Sequence, residues 1–143
     1  MVALGIVVAA VMGGLAALHV FWAFGGTLGT VAVIPTRDGM PVLRPRSAVT
    51  LALAAALAGA AYVALAAVEF VPWGLPRGAL PFGCAVLGVL FGARAIGERR
   101  YVGFFKRVRG TAFAWWDTRV FSPLCTALGI GYLLLWYWAC WRV

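Results

Sequence analysis

Four long, nearly uncharged apolar runs constrain what this chain can fold into. A helix needs about 20 apolar residues to cross a hydrocarbon core of about 30 Å. Residues 2–24, 48–68, 79–97 and 120–141 meet or nearly meet that length. The runs are continuous and lack the apolar/polar alternation of a barrel strand, so each reads as a helix. The expected fold is all-α, an integral membrane four-helix bundle forming a single domain over residues 1–143.

Composition supports the bilayer as solvent. The chain is 64% apolar and 11% charged, against about 45–50% and about 25% in a soluble domain. At 143 residues a water-soluble fold cannot hide that much apolar surface. The first run lacks a basic n-region and a clean cleavage site, and it exceeds the h-region of a signal peptide, so it reads as a retained span.

The net charge of +8 resides in the loops. Arg37, Arg44 and Arg46 lie in the first loop, and Arg99, Arg100, Lys106, Arg107, Arg109 and Arg119 in the third. The positive-inside rule places these two loops in the cytoplasm and both termini outside, in a bacterial inner membrane. Such charges suit anionic head groups; the absence of a basic patch on a soluble face argues against nucleic acid. Within the third loop, Tyr101, Phe104, Phe105, Val108, Ala112, Trp115 and Trp116 recur at helical spacing. Residues 99–116 therefore read as an amphipathic interfacial segment, weakened by Gly103 and Gly110. The turn-rich stretch 35–45, with Asp38-Gly39 and three prolines, reads as a loop rather than a strand. Small residues at Gly88 and Gly92, and at Ala52, Ala56, Gly59 and Ala60, either mark close helix contacts or reflect composition alone.

Ionisable residues in or beside spans are the functional candidates, because burying them unpaired is costly. His19 and Trp22 share a helical face at the end of the first span. Arg94 and Glu98 end the third, and Asp117 and Arg119 precede the fourth. One reading makes His19 an acid, base or donor, oriented by Glu98 or Asp117, with Arg94 or Arg119 as an anion clamp. The other is structural: Arg94 pairs with Glu98, Asp117 caps the fourth helix, and His19 bonds a loop carbonyl. Trp22, Arg94, Arg119, Lys106, Arg107 and Arg109 are the candidate binding residues. No metal or cofactor is expected. One histidine excludes bis-His haem. Cys84, Cys125 and Cys140 form no CxxC and read as small buried hydrophobes. No phosphate-binding loop is present.

Two stretches carry a family resemblance. One is His19-Val-Phe-Trp-Ala-Phe-Gly-Gly26 with a following Pro35. The other begins Arg94-Ala-Ile-Gly-Glu-Arg-Arg-Tyr-Val-Gly-Phe-Phe-Lys106. It continues through Thr111, Phe113, Asp117, Thr118 and Arg119 to Phe121-Ser-Pro-Leu-Cys125. In these the chain resembles a bacterial family of small four-helix membrane proteins catalogued as a domain of unknown function (DUF3995). The resemblance implies the architecture and no activity.

Three functions follow as expectations. The first is a non-enzymatic membrane protein binding a lipid or protein partner through the basic third loop and the surroundings of His19. The second is a small enzyme acting on a lipid-soluble substrate with His19 and a carboxylate. The third is a transporter, which four short helices can form only as a homo-oligomer.

Overall fold

The computed structural model describes residues 1–37, 40–41, 45–76 and 78–141. Among them, four helices are long and apolar enough to cross a membrane, so this is a multi-pass membrane protein. They are α1 (Val2–Ala23), α3 (Ser47–Ala67), α4 (Ala79–Ile96) and a last helix running from Ala112 to Cys140. That last helix is made of α5 (Ala112–Trp116), a π turn (Asp117–Phe121) and α6 (Ser122–Cys140). A four-residue helix α2 (Thr30–Val33) follows α1. The helices are apolar around their whole circumference, and large side chains such as Val7, Leu53, Val89 and Ile130 point outward. Helices of this kind need a nonpolar surrounding.

The bundle is two closely packed pairs, α1 on α3 and α4 on α6, joined by lighter contacts between the pairs. Small residues set the close approaches. A Cβ on Gly129 would stand 3.2 Å from the Gly88 carbonyl oxygen and 3.2 Å from the Gly92 nitrogen. The Gly88/Gly92 step is therefore a helix contact, where missing side chains let two backbones meet. In α1, Gly5 does the same against Val68 and the Ala64 carbonyl. Of the alanine-rich set on α3, Ala60 is buried, whereas Ala52, Ala56 and Gly59 are exposed.

Tyr132, Met12, Leu135 and Cys84 form the fully buried centre. A tyrosine hydroxyl there needs an acceptor. Tyr132 donates to the Ala60 carbonyl at 2.8 Å, tying α6 to α3, while its ring stacks on Phe91 at 5.9 Å.

The structure departs from the sequence reading in the loops. The fourth helix starts at Ala112, capped by the Thr111 hydroxyl, which accepts the Ala114 N–H at 3.0 Å. It runs through Asp117 and Arg119, which the sequence reading leaves ahead of a span starting at 120, because the charge of Asp117 is matched inside the protein. Residues 99–111 are not helical, so the helical spacing expected over 99–116 is realised only from Ala112 to Trp116. In the first loop, β1 (Thr36–Arg37) and β2 (Met40–Pro41) make a minimal antiparallel pair, Thr36 opposite Pro41 and Arg37 opposite Met40. This corrects the expectation of a loop without strand character. Asp38, Gly39, Arg44, Arg77 and Arg142 lie outside the described residues.

Candidate functional site

The polar residues gather where α1 ends, α3 begins, α4 ends and α6 begins. This end carries loops 1 and 3, which touch through α2 and α5. Gly97 closes α4 at a φ of 79°, and the chain turns back on itself. A Cβ on Gly97 would lie 1.8 Å from the Val102 carbonyl oxygen, and one on Gly103 2.3 Å from the Ile96 carbonyl oxygen. Both residues have positive φ, so only glycine fits either position without strain. The returning strand of chain is held by Phe104 N–H donating to Ala95 O at 2.9 Å.

This turn delivers Gly103 and Lys106 to Asp117, which has no solvent exposure. Asp117 Oδ1 accepts from Arg94 Nη2 at 2.9 Å. Its Oδ2 accepts from Gly103 N at 2.8 Å, Lys106 Nζ at 2.9 Å and Ser122 Oγ at 3.2 Å. The Lys106 ammonium uses its two remaining donors on the Gly103 carbonyl at 2.9 Å and Thr118 Oγ1 at 2.7 Å. One carboxylate thus joins α4, the third loop and the fourth helix. The π turn begins at Asp117 and stops just short of Pro123, whose missing N–H leaves the Arg119 carbonyl without its usual partner.

Lys106 is therefore corrected from the candidate head-group-binding set. It is only 3% exposed, because Gly97 and Gly103 fold the loop inward and Asp117 neutralises it. Arg94 pairs with Asp117 rather than with Glu98. Exposed Glu98 accepts the Tyr101 N–H at 3.2 Å. Asp117 is not the cap of the fourth helix; Thr111 is. His19 bonds neither carboxylate. Its Nδ1 lies 2.7 Å from the Leu15 carbonyl, one turn back on its own helix. Its ring meets Trp22 edge-on at 5.0 Å, and Trp22 Nε1 donates to Leu28 O at 2.8 Å, folding loop 1 over the helix end. The sequence leaves open whether His19, Glu98 and Asp117 meet; in the structure Asp117 is taken up by donors from other elements and Glu98 by the Tyr101 N–H.

What the structure does bring together is His19, Trp22 and Arg94, which line one cavity of about 250 Å³ with Phe91 and Cys125. Arg94 Nη1 is the buried side-chain nitrogen that has no hydrogen-bond partner among the described residues. On the outer side of the third loop, Arg109, Trp115, Trp116 and Arg119 line an open groove of about 640 Å³. The Arg119 guanidinium lies over the Trp115 ring at 4.6 Å. No metal-holding group of His, Cys, Asp and Glu occurs among the described residues.

Sequence reasoning did not single out Gly103 N–H, Thr118 or Ser122 as partners of the charges, nor Cys125 as a cavity residue. All four stand within the second family-like stretch, which was the available signal. No curated protein and no solved structure matches the chain significantly. The whole Arg94–Ser122 cluster falls inside residues 2–132, the stretch matched by the family model described as "Protein of unknown function (DUF3995)", and the chain belongs to that family.

Proposed function

We propose that this membrane protein is a non-enzymatic lipid-binding protein that engages anionic head groups at the end of the bundle carrying loops 1 and 3. The observation that carries this reading is the Arg109/Arg119 groove with its exposed tryptophans. Trp115 and Trp116 are each more than 40% exposed, beside exposed Phe104 and Phe105. Aromatic rings of this kind settle at head-group depth. Arg119 stacked on Trp115 holds a cation at the same level. Arg99, Arg100 and Arg107 are exposed on the same loop. Each cation near an anionic surface contributes about 1 kcal/mol. By the positive-inside rule this end faces the cytoplasm.

Acid–base catalysis has less support. Among the described residues His19 has no carboxylate partner, and four hydrogen bonds occupy Asp117. A test is electron paramagnetic resonance of spin-labelled phosphatidylglycerol and phosphatidylcholine in bilayers holding the protein. Wild type should immobilise more phosphatidylglycerol than phosphatidylcholine. The variant Arg107→Gln/Arg109→Gln/Arg119→Gln should reduce that preference. Lys106 is left intact, since it is buried. An unchanged preference in the variant would sink the proposal.

A further inference from the structure

We infer that the cavity between α1, α4 and the last helix is a separate binding site for an amphiphile with a monoanionic oxygen head group and an acyl chain. The site is distinct from the Arg109/Arg119 groove and rests on different residues. The cavity of about 250 Å³ is walled by Leu15, Phe91 and Leu128 among other apolar side chains. At His19, Trp22 and Val33 it adjoins a second cavity of about 480 Å³ between α1, loop 1 and the start of α3. The two offer an apolar path on either side of the histidine. Ligand sites have this character, mostly apolar walls with a few convergent polar groups.

The polar groups define the head group. Arg94 gives Nη2 to Asp117 and keeps Nη1 buried without an acceptor among the described residues. A buried donor left unmade is costly, and a guanidinium can only donate. The missing partner is therefore an acceptor. A carbonyl oxygen also only accepts, so His19 Nδ1 carries the proton that bonds Leu15 O. In the neutral ring Nε2 is then an acceptor, so Arg94 and not the histidine is the donor that meets an anion.

Charge selects an anion. Arg94 and Lys106 bring two positive charges to the cluster, and Asp117 brings one negative. Lys106 spends all three donors inside the cluster, so the surplus is presented by the partly exposed Arg94, which lines the cavity. A single negative charge cancels it; a neutral or cationic head group does not. Fatty carboxylates and the phosphodiester of a phospholipid share this chemistry.

The test uses the full-length protein in nonionic detergent and native mass spectrometry. Palmitate, phosphatidylglycerol, hexadecanol and hexadecyltrimethylammonium are offered at equal concentration. Wild type should retain one anionic ligand at least tenfold better than the alcohol or the ammonium. Retention of palmitate alone identifies a fatty carboxylate, and of phosphatidylglycerol alone a phospholipid. Arg94→Lys keeps a cation for Asp117 but gives up Nη1, and should cut retention about tenfold. Cys125→Met narrows the cavity without touching the charges and should do the same, which keeps the test decisive if Arg94→Lys does not fold. Arg107→Gln/Arg109→Gln/Arg119→Gln should leave this ligand in place; its loss there would assign the ligand to the groove and overturn the inference. Equal retention of hexadecanol, or full retention in Cys125→Met, would also overturn it.

Discussion

Asp117 shows what an ionised side chain requires inside an apolar bundle. Unpaired, it costs several kcal/mol. Here two cations, a backbone N–H and a serine hydroxyl surround it. Removing only the charge of such a pair leaves the partner stranded, so Asp117→Asn should destabilise by about 3–5 kcal/mol. Equilibrium unfolding in mixed micelles measures this. Adding Lys106→Met to Asp117→Asn should recover part of the loss, because the stranded ammonium is gone. Gly103→Ala should also destabilise, by about 1–3 kcal/mol, since its Cβ would meet the Ile96 carbonyl at a positive φ. If Asp117→Asn unfolds like wild type, the cluster is not what holds the third loop.

At the scale of elements, α4 and the last helix meet through glycines that no side chain can replace without moving backbone. Gly129→Val should weaken that pairing by about 1–3 kcal/mol, read in the same unfolding experiment. Gly59→Val, on an open stretch of α3, should change little. The spans were legible in the sequence because their apolar runs are unbroken. The glycine contact was legible as a GxxxG step, although its partner Gly129 was not. The third loop was legible only in part. Its basic and aromatic content is clear, but helical spacing put Lys106 on the polar side, opposite the aromatic residues. Two glycines, the nearer 14 positions from Asp117, decide otherwise. The Arg94–Glu98 pair, one of the two readings, fails for a related reason. A residue four positions away was the obvious partner, whereas the actual one is 23 positions away, a distance that no local periodicity encodes.

Across the whole molecule, polar chemistry is concentrated at one end of an apolar bundle. The charge bias predicts that this end is cytoplasmic and that both termini are outside. Single cysteines placed at Met1 and at Phe105, in a chain whose own cysteines are replaced by serine or alanine, test this in intact cells. A membrane-impermeant thiol reagent should label position 1 and spare position 105. The reverse pattern would invert the orientation while leaving the fold unchanged. The exposed residues Ala52, Ala56 and Gly59 sit on the surface of α3, outside the contacts that close the bundle. The central claim is that the polar end binds lipid. Its most direct test is native mass spectrometry of the protein ejected from membrane vesicles, without detergent or added ligand. Wild type should emerge with anionic lipid attached, and Arg107→Gln/Arg109→Gln/Arg119→Gln combined with Arg94→Lys should emerge bare. Wild type emerging bare, or both proteins carrying the same lipids, would contradict the claim.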